Sequence, residues 1–286
     1  MNSKFKGVFS ALLTPFDGGK VDHASIEKHV QYQIRNGITG FVVNGTTAES
    51  PTLLWSEVEQ IFKTVKSISG DRPLIVGVGS NSTAKTIENA KKAAALGADA
   101  LLVVVPYYNK PPQRGLVAHF NAVANATEVP VILYNVPGRT ITALTVESVV
   151  ELAKNKKIIG IKEASGDMAY VEKLHKNVPA EFIKLSGDDA TYIEFLKRKG
   201  DGIISVMSNV ITKQCMQWTK NLDTADFNSH LKFINGIYAE ANPIVPKWML
   251  YKMGLFKTAE MRLPLVDLDP ALHDPTQALL KEFSLI

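Results

Sequence analysis

Lys162 closes the run Ile158-Ile159-Gly160-Ile161-Lys162, an apolar segment that reads as a buried strand and ends in an ammonium. Burial disfavours the charged form of an amine, and an amine kept neutral near physiological pH attacks carbonyls. Lys162 is therefore the first candidate for chemistry. Two plainer readings stand beside it: a lysine whose head snorkels to solvent, and an ion pair with the adjacent Glu163.

Other apolar runs also end in polar residues. Asn44-Gly45-Thr46-Thr47-Ala48-Glu49-Ser50 is a glycine- and hydroxyl-rich turn. Its backbone N–H groups and the helix start that follows suit a carboxylate or phosphate, while its hydroxyls equally serve as caps. Pro106-Tyr107-Tyr108-Asn109-Lys110-Pro111-Pro112 is a stiff loop with two adjacent phenols, residues that pack more often than they catalyse. Tyr134-Asn135-Val136-Pro137-Gly138-Arg139-Thr140 sets a phenol at a run's end and, just beyond, a guanidinium whose planar fork suits a carboxylate. The alternative for Arg139 is an ordinary surface arginine. Ser186-Gly187-Asp188-Asp189 and Ile204-Ser205 end two further runs and, alone, read as caps.

The elements that must position these groups alternate short β-branched runs with longer amphipathic segments, the pattern of βα units and a parallel sheet. Eight runs are found, at 7–16, 40–44, 73–79, 100–106, 130–135, 158–164, 182–188 and 202–209. The segments 22–36, 56–69, 83–96, 113–126, 145–154, 168–176 and 190–199 have helical spacing, several behind Asp, Ser or Thr caps. Eight such units predict a (β/α)8 TIM barrel, whose active site lies at the C-terminal ends of the strands. There the polar run ends converge on one rim, which a set of unrelated caps and surface residues would not do. The barrel is expected to occupy residues 1–225 as the catalytic domain, with 226–286 a C-terminal helical extension.

Composition narrows the function classes. The chain has 286 residues, 45% of them hydrophobic, enough to bury a core within one large domain. The formal net charge of +4 is small and the lysines are scattered, so neither nucleic acid nor an anionic membrane is expected as partner. A single cysteine, Cys215, forms no internal disulfide and suits a reducing compartment. The stretch 4–16 imitates a signal peptide but continues without a small-residue cleavage site and reads as the first strand. No apolar run approaches the ~20 residues needed to span a bilayer, and the cytoplasm is the expected compartment. His-Glu-x-x-His, cysteine pairs and a P-loop are absent from the sequence, and Gly77-Val78-Gly79-Ser80-Asn81-Ser82 lacks the third glycine of a dinucleotide fingerprint. No metal and no cofactor is expected. What remains is Schiff-base chemistry on a carbonyl acid, with a covalent imine on Lys162.

The quoted motifs, with Ile161-Lys162-Glu163-Ala164, closely resemble the 4-hydroxy-tetrahydrodipicolinate synthase family of the class I pyruvate-dependent lyases and aldolases, in order and over essentially the whole chain. Arg139 and the double threonine distinguish this branch from the sialic-acid lyases. Ala48 departs from the glycine frequent at its position. The resemblance implies condensation of pyruvate with L-aspartate 4-semialdehyde, the first committed step of the diaminopimelate route to lysine. It implies Lys162 as the imine-forming amine and Tyr134 as general acid/base, in a relay with Thr46 and Tyr108. Backbone N–H groups around Thr46 and Thr47 would hold the pyruvate carboxylate and Arg139 that of the semialdehyde, while Gly187 and the backbone of Ile204 would line the pyruvate pocket.

Family members place one loop tyrosine across a subunit interface, and Tyr108 aligns with it. The resemblance thus implies a homodimer as the minimum active unit, paired into a homotetramer, a dimer of dimers. Lysine-inhibited members bind lysine at that interface through histidines, a glutamate and a tyrosine. Here Trp55 and Val58 replace the histidines and Lys85 the glutamate, while Asn81 and Tyr107 remain; a cation facing the ligand's ammonium implies weak or absent feedback. Two other classes stay open on sequence: a retro-aldol enzyme acting on sialic acid or a 2-keto-3-deoxy sugar acid, and a non-catalytic barrel that binds a keto acid or a protein partner.

Overall fold

The computed structural model describes residues 2–222 and 224–286. Its eight long-range strands are β1 (Gly7–Ala11), β2 (Gly40–Val43), β3 (Leu74–Gly77), β4 (Ala100–Val104), β5 (Val131–Asn135), β6 (Ile158–Glu163), β7 (Ile183–Ser186) and β8 (Gly202–Ser205). They form a closed barrel in the order β1-β8-β7-β6-β5-β4-β3-β2, each strand beside its sequence neighbour. The ladders from β3 to β8 are parallel. Strands β2 to β7 are almost wholly buried, which is why they read as unbroken apolar runs rather than alternating ones. The expected (β/α)8 architecture is the one observed.

The helices follow in order: α1 (His23–Arg35), α2 (Trp55–Ile68), α3 (Thr83–Leu96), α4 (Gln113–Asn125), the short α5 (Pro137–Thr140), α6 (Val146–Leu152), α7 (Met168–Asn177), α8 (Tyr192–Lys197) and α9 (Thr212–Asn221). The extension adds α10 (Thr224–Ser229), α11 (Leu231–Ile237), α12 (Ile244–Lys252) and α13 (His273–Glu282). Asp22, Ser82, Thr145 and Asp167 each accept the backbone N–H of a first-turn residue, so the caps expected there form. Three details differ from the sequence reading. The run 7–16 breaks after Ala11, and Phe16–Asp17 pairs instead with Lys20–Val21 as a small antiparallel hairpin. Pro15, with no N–H to give a ladder, stands at that break. The run 202–209 ends as strand at Ser205 and continues as a 3-10 turn, Met207–Asn209. Pro137 nucleates α5 inside what reads as a loop, its fixed φ suiting a first helical turn.

The chain divides into two compact units. One runs to Phe9 and resumes at Pro73–Ile204; its core includes Ile75, Leu101, Val103, Leu133, Ile161 and Leu185, with Phe120 and Val149 from the helices. The other comprises Ser10–Arg72 and Ser205–Ile286, built on Phe41, Phe62, Val65, Trp218, Phe233 and Met249. Residues 205–286 therefore pack with the early βα units in a single body.

Candidate active site

Strand β6 delivers Lys162 to the barrel rim, and the ladder sets Tyr134 of β5 directly beside it. Both are buried, Lys162 at 6% exposure, and its Nζ lies 4.3 Å from the centroid of the Tyr134 ring. The ring face attracts the cation without neutralising it. Among the described residues no carboxylate lies within ion-pair distance of Lys162.

Strand alternation explains why Glu163 is not that partner. One residue on, its side chain points to the opposite face, where Asn135 Nδ2 donates to Oε2 at 2.7 Å and Ser165 N donates to Oε1 at 2.6 Å. Burial pushes the Glu163 carboxyl above the usual carboxylate range. The ion-pair and snorkelling readings of Lys162 both give way to a buried amine flanked by a phenol.

Gly187 follows β7 and is the third member of this cluster. A Cβ there would lie 2.7 Å from Lys162 Cε and 2.8 Å from Ala164 Cβ, so only glycine leaves the lysine stem its place. Ile204 is buried near the end of β8. Arg139 is exposed on α5. The segment carrying it is tied down from several sides: Leu144 N donates to Asn135 Oδ1 at 3.0 Å, Tyr170 Oη to Leu144 O at 2.9 Å, and Gln113 Nε2 to Ala143 O at 2.7 Å. Asn135 thus links the β5 end, Glu163 and the arginine segment, a role that sequence reading missed although the residue stood in a quoted motif.

Tyr108 is 88% exposed on its loop, with a left-handed φ of 74°. A non-glycine residue in that region is uncommon and marks a loop held in a set shape; Asn109 Nδ2 donates to Asn81 O at 2.9 Å in its support.

In the other unit, β2 runs into a 3-10 turn, Thr46–Ala48, closed by Glu49 in a left-handed conformation with φ 59° and ψ 38°. Thr46 is half-buried and Thr47 buried. Thr47 Oγ1 accepts from Asn242 Nδ2 at 3.0 Å. Glu49 is buried and paired with Lys247, itself wholly excluded from solvent. Sequence reading found the turn but not its partners Asn242 and Lys247, whose only local signal is their place beside the prolines of 242–247. Among the described residues no group of three or more His, Cys, Asp or Glu side chains could hold a metal ion, and no helix is long and apolar enough to cross a membrane.

A family model for the dihydrodipicolinate synthetase family matches residues 4–283. The chain belongs to the dihydrodipicolinate synthetase family. A relative from Bdellovibrio bacteriovorus named 4-hydroxy-tetrahydrodipicolinate synthase is 50% identical, over 99% of this chain and 99% of its own. Among solved structures, a dihydrodipicolinate synthase from Acinetobacter baumannii, chloride-inhibited and complexed with pyruvate, superposes with a TM-score of 0.94 at 39% identity, covering 98% of this chain and 99% of that one. A monomeric dihydrodipicolinate synthase variant superposes with a TM-score of 0.95 at 36% identity, covering 100% and 99%. Membership of the dihydrodipicolinate synthetase family agrees with the resemblance carried by the motifs around Thr46, Tyr134 and Lys162.

Proposed function

We propose that Lys162 carries the chemistry of this family in this chain. The chain is a lyase that condenses pyruvate with L-aspartate 4-semialdehyde to give 4-hydroxy-tetrahydrodipicolinate in lysine biosynthesis. In our reading, the neutral amine of Lys162 adds to the pyruvate ketone, and loss of water leaves an iminium that withdraws electrons from the methyl carbon. A methyl proton departs to give an enamine, which attacks the aldehyde of the semialdehyde. The semialdehyde's amino group then adds at the iminium carbon, closes the ring and expels Lys162; one water is released overall.

Tyr134 is the general acid/base of these transfers. A phenol does this work near neutrality only when hydrogen-bonded partners share the proton, the role assigned to Thr46 and Tyr108. Thr46 and Thr47 hold the keto-acid carboxylate, Arg139 that of the semialdehyde through its planar fork, and Gly187 and Ile204 line the pyruvate pocket. No cofactor enters the scheme, since the electron sink is the imine itself. The observation that carries the reading is a buried lysine beside a phenol, with no carboxylate within ion-pair distance among the described residues. A coupled assay with both substrates tests it. Lys162→Ala should lose at least about a thousandfold in kcat while remaining folded; retention of turnover would overturn it.

The exposure and fixed backbone of Tyr108 support its crossing to a second subunit, so we assign the enzyme as a homodimer, paired into a homotetramer, working in the cytoplasm. Sedimentation velocity checks the assembly. Lysine feedback is assigned as weak or absent: Lys85 presents an exposed ammonium held by Glu88 at 3.2 Å, and Val58 faces the core. A like charge there repels the ligand's ammonium. Sub-millimolar lysine should leave the steady-state rate unchanged; inhibition in that range would contradict the assignment.

A further inference from the structure

The turn bearing Thr46 and Thr47 is gripped by side chains from residues 242–262 that the reaction scheme does not use. Asn242 Nδ2 donates to Thr47 Oγ1 at 3.0 Å with both residues buried. An oxygen that accepts there keeps its own proton for another acceptor, so the Thr47 hydroxyl is set as a donor. Two residues on, Glu49 Oε1 accepts from Lys247 Nζ, and Oε2 accepts from Arg262 N at 3.1 Å. Lys247 gives a further bond to Glu260 O at 3.0 Å and stands 4.4 Å from the centroid of the Phe16 ring. Arg262 donates to Thr52 O at 3.0 Å and holds Glu57 with both terminal nitrogens at 2.8 and 2.6 Å.

A buried ion pair is often no more stable than apolar packing of the same volume, so stability alone does not account for this arrangement. Its geometric effect is clear. The non-glycine residue Glu49 adopts a left-handed backbone that closes the Thr46–Ala48 turn, and both oxygens of its carboxylate are fixed.

We propose that Asn242 is a positioning residue for the keto-acid carboxylate: it orients the Thr47 hydroxyl as donor, while the Glu49–Lys247 pair holds the turn in shape. The C-terminal extension thereby serves substrate binding without touching substrate. This rests on the reading that Thr46 and Thr47 bind the pyruvate carboxylate, and the test separates the two.

Full-length Asn242→Ala, Asn242→Asp, Thr47→Val and the Asn242→Ala/Thr47→Val double variant are compared by steady-state kinetics, with pyruvate and the semialdehyde varied separately. Thermal melting confirms folding, and Asn242→Ser replaces the alanine variant should that one not fold. Asn242→Ala should raise the KM for pyruvate about tenfold, equivalent to roughly 1.4 kcal/mol, and leave the KM for the semialdehyde within about twofold. The near-isosteric Asn242→Asp should be worse than alanine. Its carboxylate takes the Thr47 proton and repels the keto acid, so the loss falls on the KM for pyruvate and not on that for the semialdehyde, a split that a purely structural role does not produce. Because Asn242 acts through Thr47, the double variant should be no worse than Thr47→Val alone. If Thr47→Val leaves the KM for pyruvate unchanged, the reading that the Thr47 side chain helps to hold the carboxylate falls. If Thr47→Val raises it while Asn242→Ala does not, or the two effects multiply, the positioning role is overturned.

Discussion

Two buried lysines in this molecule meet opposite electrostatic settings. Lys247 is wholly buried against the Glu49 carboxylate, with a carbonyl and the Phe16 ring completing its surroundings. Lys162 is nearly as buried, yet its neighbour is the face of the Tyr134 ring. Burial pulls Lys247 below the ordinary lysine range, and the Glu49 charge opposes the shift. A third buried lysine, Lys184, follows the Lys247 pattern, 3.6 Å from Asp201. A carboxylate partner favours the charged form and ties the nitrogen into an ion pair. Withholding one leaves an amine available to a carbonyl, and burial alone does not distinguish the two cases.

The contrast breaks most sharply if the pairing is disturbed. Lys247→Met strands a buried carboxylate at Glu49 and should destabilise the fold by about 3–5 kcal/mol. Lys247→Met with Glu49→Gln removes both charges and should recover most of that loss. Urea denaturation of the three proteins measures it, and equal stability of single and double variants would show that the pair is not the relevant unit. Lys162→Ala, with no carboxylate to strand, should shift stability far less than Lys247→Met in the same titration.

A smaller effect is expected where only the lysine's path is touched. Gly187→Ala places a methyl 2.7 Å from Lys162 Cε, a distance that forces the stem aside. A displacement of that kind should lower kcat/KM for pyruvate by roughly 100-fold with little change in the KM for the semialdehyde. Unchanged kinetics would mean the stem has room that the structure does not show.

The mildest test concerns a buried base with no catalytic assignment. His29 is buried in the same unit as Lys247, with Asn209 O 2.9 Å from Nε2, and burial holds it down to about 4 from an ordinary 6.5. Between those values the unfolded chain binds more protons than the folded one, so stability rises with pH across the window. The contribution is fully present above about 6.5 and falls away as pH drops toward about 4, for a total on the order of 3 kcal/mol. His29→Gln should flatten that part of the stability profile, measured by urea midpoints at pH 5 and 7.5; an unaltered slope would assign it to other groups.

The difference between the two lysines also marks what sequence could and could not reveal. The run ending in Lys162 was legible because a fully buried parallel strand is written as contiguous apolar residues, and its polar end stands out. Tyr134, Arg139 and the Thr46-Thr47 turn were legible for the same reason, each sitting at or just past such an end. The clamp was not. Asn242 and Thr47 lie 195 positions apart, and Lys247 and Glu49 198 apart, so no periodicity or local motif joins them. Glu49 read only as one residue of the hydroxyl-rich turn and Lys247 as one of many scattered lysines, because pairing across the fold leaves no local trace. The hairpin at Phe16 and the short helix at Pro137 were missed on a smaller scale, since two- to four-residue elements carry too few positions for a period to appear.

The central claim is that, of the three buried lysines among the described residues, Lys162 alone takes the keto acid. Borohydride reduction in the presence of pyruvate, followed by intact-mass measurement and peptide mapping of the wild-type chain, tests it directly. The account predicts a single pyruvyl adduct confined to the peptide bearing Lys162, absent from Lys162→Ala and from samples without pyruvate. An adduct on Lys184 or Lys247, or none on folded protein that still turns over both substrates, would contradict it.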